Sequence, residues 1–242
     1  MTDLDDLRLK AGDALFLDFD GTLAELGPDP DAIRLPDATL LDLERLADRL
    51  GGALAVISGR DLRDLAARTP AGLWRAGGHG LEITAPRADL PPPPAPQPPE
   101  VLAPLNAIAG AVAGVRLELK GPVAALHYRA APEAEADCLA AAAEAAAILP
   151  GLVMQAGKMV VEVKPDTAHK GSALRRMMQA PPFAGRRPVM LGDDTTDEDA
   201  IVVAEALGGI GVKIGPGPSA ASLRAFDPVA ARAWIAREAI GA

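Results

Sequence analysis

Two carboxylates, Asp18 and Asp20, directly follow the apolar run at 15–17, and Gly21 and Thr22 come next. Side chains alternate along an extended chain, so the two carboxylates lie on the same side of it. Two carboxylates this close repel each other unless a cation or a shared proton lies between them. Because oxygen ligands favour hard cations, the pair predicts a Mg²⁺ site.

Three further polar groups lie where they could complete a site with this pair. Ser58 follows the apolar run at 53–57, and an acidic cluster at 193–197 follows the run at 188–191. Ligand sites of parallel α/β sheets form where the strands end, so we expect these groups to meet there. Lys170, at the start of a predicted helix, would add an ammonium group. The set supplies a nucleophile, an acid or base, a hydroxyl, a cation and metal ligands.

The elements that must position these groups alternate between strand and helix, as in a parallel sheet wrapped by helices. The strand signals are short apolar runs that end in polar residues, and the helix signals are apolar residues at helical spacing. We predict strands at 15–17, 53–57, 73–76, 188–191 and 209–214, and helices at 37–50, 61–68, 170–179, 197–207 and over most of the chain from 219 onward.

The middle of the chain has a different pattern, which begins after the proline-rich run at 91–99. Such a run cannot join a central strand or continue a helix, so we expect a stiff connector or an exposed loop. We then predict a helix at 101–113, strands at 115–120 and 123–129, a helix at 133–149, and strands at 152–155 and 158–164. This order indicates a small α+β unit with helices on one face of an open sheet.

The predicted fold class is therefore α/β: a Rossmann-like core, with a parallel sheet and helices on both faces, and an inserted α+β domain. We place the core at 1–84 and 165–242, a proline-rich connector at 85–99 and the inserted domain at 100–164.

The amino-acid composition limits the kinds of molecule that the protein is expected to bind. The formal net charge of the 242-residue chain is −9, which gives no overall attraction for nucleic acid or for an anionic membrane. No apolar run approaches the roughly 20 residues that span a bilayer, and the acidic N-terminus lacks a signal-peptide pattern. The one cysteine, Cys138, fits a reducing compartment. We expect a cytoplasmic protein that acts on a small molecule.

Four motifs resemble those of the haloacid dehalogenase superfamily in order and spacing. The run at 18–23 resembles motif I, the run at 56–60 motif II, Lys170 motif III, and the run at 192–198 motif IV. The inserted domain lies between motifs II and III, as C2-type caps of that superfamily do. Within the superfamily the chain resembles the trehalose-6-phosphate phosphatases, on the segments 78–82, 118–121, 126–129, 161–165, 169–171 and 192–198.

The resemblance implies a phosphatase that works through an aspartyl phosphate. Asp18 would attack phosphorus, and Asp20 would protonate the leaving oxygen and then deprotonate water. Ser58 would donate to a phosphate oxygen, and Lys170 would neutralise phosphate charge. The implied Mg²⁺ ligands are Asp18, Asp20 through its backbone carbonyl, Asp193, and Asp194 or Asp197 directly or through water.

The inserted domain is where the substrate would be chosen. Glu118 and Lys120 are two residues apart on one predicted strand, and Glu162 lies on another, so one sheet face carries charges suited to sugar hydroxyls. In the resembled family, residues at these positions bind the glucose unit remote from the phosphate. Arg60 could reach the substrate or cap an element. The implied reaction converts trehalose 6-phosphate to trehalose and phosphate, with a functional link to a trehalose-6-phosphate synthase.

Other interpretations remain open at this stage. The same core would serve another sugar-phosphate phosphatase, for sucrose phosphate or a mannosyl phosphoglycerate, and a substrate panel would separate these. A non-catalytic sugar-phosphate-binding regulatory domain would bind without turnover. For single residues, Ser58 could cap a helix, Lys170 could be an exposed helix lysine, and the charged sheet face could simply be solvated.

Overall fold

A computed structural model describes residues 2–157 and 159–241. These residues form two compact units. One, the core unit, comprises the described residues up to Leu90 and from His169 onward; the other, the inserted unit, comprises Pro91–Ala168. The predicted division into catalytic core, connector and cap, with changes at 84, 99 and 164, stays a prediction. Lys158, where we expected a strand to begin, lies outside the described residues.

Twelve strands and seven α-helices are found in the described residues. The strands are β1 (Thr2–Asp3), β2 (Asp13–Leu17), β3 (Leu54–Ile57), β4 (Trp74–Gly77), β5 (Glu82–Thr84), β6 (Arg116–Lys120), β7 (Val123–His127), β8 (Leu152–Gly157), β9 (Val160–Pro165), β10 (Arg187–Gly192), β11 (Ile210–Ile214) and β12 (Leu223–Ala225). The helices are α1 (Asp37–Arg49), α2 (Leu62–Ala66), α3 (Pro99–Ala111), α4 (Glu135–Ile148), α5 (Lys170–Met177), α6 (Thr195–Ala206) and α7 (Pro228–Ile240).

The core unit is built on an eight-stranded sheet in the order β1-β12-β11-β10-β2-β3-β4-β5. Every pair is parallel except β4–β5, which is antiparallel. Each residue of β2 and of β3 is buried, so both sheet faces are covered there. Helix α1 packs against α7, and α5 packs against α6. The predicted parallel α/β sheet is confirmed, and its central strand is the one that leads into Asp18.

The inserted unit is a four-stranded antiparallel sheet in the order β6-β7-β9-β8, with α3 and α4 packed together. Its apolar core includes Leu126, Val161 and Val163 from the sheet and Cys138 from α4. The cysteine is buried and free, as a structural thiol would be. Both predicted hairpins are present, since β6 pairs with β7 and β8 pairs with β9.

Some elements differ from the predictions. The stretch from 219 onward was predicted as mostly helix, but it includes the strand β12 before α7. The short strands β1 and β5 were not predicted, because two or three residues carry no readable period. Helix α6 begins at Thr195 rather than at Asp197, because Asp194 is its N-cap.

Among the described residues, none of the helices combines the length and the apolar character that crossing a membrane requires.

Candidate active site

The site is centred on Asp18, the first residue after β2. The backbone N–H of Asp18 donates to the carbonyl of Leu191 in β10 at 3.0 Å, so the pairing of the two strands extends to this residue. Asp18 is only 3% exposed. A carboxylate at such a depth requires a partner, since an isolated buried charge is strongly unfavourable.

Lys170 is that partner. Its Nζ donates to Asp18 Oδ1 at 2.6 Å and to Asp197 Oδ1 at 2.7 Å. It is the first residue of α5 and is buried, so it is not an exposed helix lysine. Burial alone would lower the pKa of Lys170, but Asp18 and Asp197 together hold it above its ordinary value. The ammonium therefore remains charged between the two carboxylates.

Asp197 organises the loop between β10 and α6. Its Oδ2 accepts the backbone N–H of Asp193 at 3.1 Å and that of Asp194 at 3.0 Å. Asp194 is exposed and is the N-cap of α6: its side chain accepts the backbone N–H of Asp197, and the bond from its own N–H to Asp197 completes a capping box. The structure thus gives Asp197 a positioning role in addition to any contact with a metal.

Three carboxylates converge at this point. Asp18, Asp193 and Asp197 can each offer one oxygen, and these oxygens lie within 4.8 Å of one another. Burial first, and then the charge of Asp197, raise the pKa of Asp18 well above its ordinary value and that of Asp193 to about 6. A bound cation would offset the repulsion among these buried carboxylates. An all-oxygen donor set suits a hard divalent ion. These residues therefore fit a divalent metal.

The side chain of Asp20 lies apart from this group and is held by Arg60. Arg60 Nε donates to Asp20 Oδ2 and a terminal nitrogen donates to Oδ1, both at 2.6 Å. Its other terminal nitrogen donates to Asp64 at 2.8 Å. Burial would lower the pKa of Arg60, but Asp20 and Asp64 raise it. We expected Arg60 to contact the substrate; the structure engages it with Asp20, and its role as a substrate ligand stays a prediction.

Ser58 lies one residue beyond β3 and is 1% exposed. Its N–H donates to the carbonyl of Ala76 at 2.9 Å, and its Oγ accepts the N–H of Arg60 at 3.1 Å. Asp61, and not Ser58, is the N-cap of α2. The hydroxyl proton of Ser58 can therefore be donated to another acceptor, as a phosphate contact requires.

The three predicted sugar ligands lie in the inserted unit. The strand register places Glu118 opposite Ala125 and Ala125 opposite Glu162, so the two glutamates share one row across the sheet. Glu118 contacts His127 Nε2 at 2.7 Å and Lys120 Nζ at 3.4 Å. The hydrogen bond from His127 lowers the pKa of Glu118 to about 2, so this carboxylate stays ionised at neutral pH.

The sequence alone did not indicate two contacts to Asp193. Thr22 Oγ1 donates to Asp193 Oδ1 at 3.2 Å, and Lys213 Nζ donates to the backbone carbonyl of Asp193. A signal for Lys213 was present: it is the one charged residue in the otherwise apolar strand β11. A lone cation near the end of a parallel strand beside motif IV could have been singled out on that basis.

Comparisons with known proteins agree with this geometry. Residues 16–227 match the family model described as trehalose-phosphatase. The chain is 41% identical over 239 residues to the trehalose-6-phosphate phosphatase of Escherichia coli (strain K12), with 94% of this chain and 87% of that protein covered.

Solved structures show the same fold. The C-terminal domain of the C. albicans trehalose-6-phosphate phosphatase superposes with a TM-score of 0.80 at 20% identity, covering 94% of this chain and 91% of that one. A haloacid dehalogenase-like hydrolase from Bacteroides thetaiotaomicron gives 0.65 at 16% identity, covering 93% and 98%. The chain therefore has the haloacid dehalogenase fold and belongs to the trehalose-phosphatase family, whose members are phosphoric monoester hydrolases.

Proposed function

We propose that this protein is a Mg²⁺-dependent phosphatase that hydrolyses trehalose 6-phosphate to trehalose and phosphate through an aspartyl phosphate. The observation that carries the proposal is the buried contact of Lys170 with both Asp18 and Asp197, beside Asp193. The proposed nucleophile, an ammonium group and three carboxylates that could hold a metal ion thus lie close together, which supports the proposal. The family and the 41% identical relative support the choice of substrate.

Asp18 is the proposed nucleophile. One carboxylate oxygen attacks phosphorus, the bond from phosphorus to the sugar oxygen breaks, and an acyl phosphate forms on Asp18. The hydrogen bond from Lys170 favours the ionised form of Asp18 against the effect of burial. The hydroxyl of Ser58 and the ammonium of Lys170 would offset charge on the transferring phosphoryl group.

Asp20 is the proposed acid and base. It gives a proton to the sugar oxygen as that group leaves, then takes a proton from the water that attacks phosphorus and releases phosphate. In the structure both oxygens of Asp20 are held by Arg60. We therefore propose that Arg60 positions Asp20, whether or not it also meets the substrate.

Asp18, Asp193 and Asp197 would hold Mg²⁺, with the backbone of Asp20 and the side chain of Asp194 as further candidates. When bound, the ion would neutralise charge on the nucleophile and on the phosphate. Asp197 Oδ2 already accepts two backbone N–H groups and Oδ1 accepts one hydrogen bond from Lys170, so its metal contact would use the remaining lone pair of Oδ1 or go through a water.

The proposed sugar-binding surface is the charged row of the inserted unit, formed by Glu118 and Glu162, together with Lys120, which lies two residues from Glu118 on β6. Glu118, Lys120 and Glu162 offer both donors and acceptors, as recognition of several hydroxyls requires. We also propose that the protein acts in the cytoplasm, downstream of a trehalose-6-phosphate synthase that supplies its substrate.

The test is a phosphate-release panel with purified protein and MgCl₂. The substrates are trehalose 6-phosphate, sucrose 6-phosphate, a mannosyl phosphoglycerate and glucose 6-phosphate. We expect the highest kcat/KM with trehalose 6-phosphate, and loss of activity in EDTA that added Mg²⁺ restores. A higher kcat/KM with another sugar phosphate would refute the assignment of trehalose 6-phosphate as the substrate. Tight binding of a sugar phosphate without turnover would indicate a regulatory domain instead.

A further inference from the structure

Asp193 is held at three separate atoms. Its backbone N–H donates to Asp197 Oδ2 at 3.1 Å, and its side-chain Oδ1 accepts the hydroxyl of Thr22 at 3.2 Å. Its backbone carbonyl accepts a hydrogen bond from Lys213 Nζ. Asp197 and Thr22 belong to recognised motifs, whereas Lys213 belongs to none of them. The contact from Lys213 is therefore the part of this arrangement that the proposed reaction has not yet explained.

Lys213 is an unusual residue for its position. It lies in β11, opposite Gly192 in the register with β10, and is only 5% exposed. Burial of an ammonium is unfavourable unless an anion or several acceptors compensate it. In residues 2–157 and 159–241, no carboxylate forms an ion pair with Lys213, and its hydrogen bond goes to the carbonyl of Asp193. A structural lysine that served stability alone would be expected to have a better-compensated site.

The position of the acceptor explains what this contact can do. Asp193 lies on the short loop between β10 and α6, where the peptide planes are not held by a sheet ladder. Asp197 holds the N–H of the plane that precedes Asp193 and the Asp194 N–H of the plane that follows it, and Lys213, on the neighbouring strand, holds the carbonyl of that second plane from its other edge. With both planes fixed, the direction of the Asp193 side chain is restricted before any ligand arrives.

We propose that Lys213 is a positioning residue that fixes the backbone of Asp193 and so orients its carboxylate toward the bound divalent cation. The inference rests on the proposed function, because it assumes that Asp193 is a metal ligand. Groups that orient metal ligands typically contribute about ten- to a hundredfold to metal affinity.

An alternative role predicts the opposite sign. If Lys213 acted only through its charge, it would repel a cation held nearby, and removing the ammonium would strengthen metal binding. If it orients Asp193, removing it weakens metal binding despite the lost repulsion. The direction of the change therefore separates the two roles.

The experiment measures Mg²⁺ binding by isothermal titration calorimetry in the absence of substrate, and phosphate release across a range of Mg²⁺ concentrations. The variants are Lys213→Met, which removes charge and donor, and Lys213→Arg, which keeps both. Lys10→Met is the matched control, since Lys10 is an exposed lysine of the same unit. If Lys213→Met does not yield folded protein, Lys213→Leu replaces it with the same expected result, because leucine also lacks a charge and a hydrogen-bond donor.

We expect Lys213→Met to weaken Mg²⁺ binding by about tenfold or more, and Lys213→Arg and Lys10→Met to stay within about threefold of the wild type. The Mg²⁺ concentration for half-maximal rate should rise in parallel, while kcat at saturating Mg²⁺ recovers most of its value. Unchanged or tighter Mg²⁺ binding by Lys213→Met would overturn the inference. A wild-type protein that neither binds Mg²⁺ nor releases phosphate would instead overturn the proposed function, so the two failures are distinguishable.

Discussion

At the scale of single residues, the three clustered carboxylates determine how protons and metal compete for the site. The pKa of Asp18 lies well above its ordinary value and that of Asp193 is about 6, in both cases mainly because of burial. A carboxyl group whose pKa is raised by folding binds its proton more tightly in the folded state. Its contribution to stability is therefore present at low pH and is lost as the pH rises through the folded-state pKa.

This competition predicts a pH-dependent effect of Mg²⁺ on stability. In EDTA, Asp18 and Asp193 should destabilise the fold progressively from about pH 4 to above pH 6. Mg²⁺ replaces the protons, so the increase in Tm that it causes should be larger at about pH 7.5 than at about pH 5. Thermal unfolding with and without Mg²⁺ measures this, and Asp193→Asn should reduce the increase at both pH values. An equal increase in the wild type at the two pH values would contradict the metal site.

Arg60 carries the second residue-scale prediction. Arg60→Lys keeps the charge but loses the two-pronged contact with Asp20. Because a general acid must be held in place to act, we expect kcat for trehalose 6-phosphate to fall about ten- to a hundredfold with a smaller change in KM. Steady-state kinetics measure both parameters.

The matched control for this variant is Arg45→Lys, an exposed arginine of α1 that pairs with Asp42 on the surface. It should leave kcat unchanged. If Arg60→Lys raised KM and left kcat intact, Arg60 would be a substrate ligand, as the sequence first suggested, rather than a positioning residue.

At the scale of elements, the turn after β2 must approach the loop after β10 closely. Gly21 has a φ of +83°, and a Cβ placed on it would lie 2.2 Å from Asp193 Oδ2. Glycine is therefore required there both for the backbone conformation and for the space. The turn brings Thr22 to Asp193 and leaves Asp18 and Asp20 on its N-terminal side.

Gly21→Ala should accordingly weaken Mg²⁺ binding and lower phosphate release by about tenfold or more, since the added methyl group displaces Asp193. Gly12→Ala is the control, because a Cβ at Gly12 meets nothing within 4 Å. It should leave activity unchanged. Calorimetry measures the Mg²⁺ affinity, and a phosphate-release assay measures the activity. An active Gly21→Ala protein with normal Mg²⁺ affinity would show that the close approach of Gly21 to Asp193 is not needed.

The strands that position the site residues could be predicted from the sequence, and the reason is physical. β2, β3 and β10 are buried on both faces and end at polar residues, so their apolar runs and their ends are both visible. The contacts between Arg60 and Asp20 and between Lys213 and Asp193 were not readable, because each joins residues that only the folded loops bring together. β12 was missed because a three-residue strand has too few positions to show alternation.

At the scale of the whole molecule, two units divide the chain, and the proposed chemistry lies entirely within one of them. The core unit holds the reactive groups, and the inserted unit holds the charged row of Glu118 and Glu162. We propose that the first unit performs phosphoryl transfer and that the second selects the sugar.

This division predicts that changes in the inserted unit affect substrates unequally. Glu118→Gln should raise KM for trehalose 6-phosphate about tenfold, because a carboxylate that accepts from sugar hydroxyls is lost. It should leave the hydrolysis of p-nitrophenyl phosphate, which has no sugar, unchanged. Glu144→Gln, at an exposed site on α4, is the control and should alter neither. An equal loss on both substrates would mean that Glu118 supports the fold or the chemistry rather than sugar recognition.

The most direct test of the whole account compares the wild type with Asp18→Asn for phosphate release from trehalose 6-phosphate in Mg²⁺. The amide is nearly the same shape as the carboxylate but cannot form the acyl phosphate, so kcat should fall by about a thousandfold or more while the protein stays folded. A wild-type protein that releases no phosphate, or an Asp18→Asn variant that keeps the wild-type rate, would contradict the account.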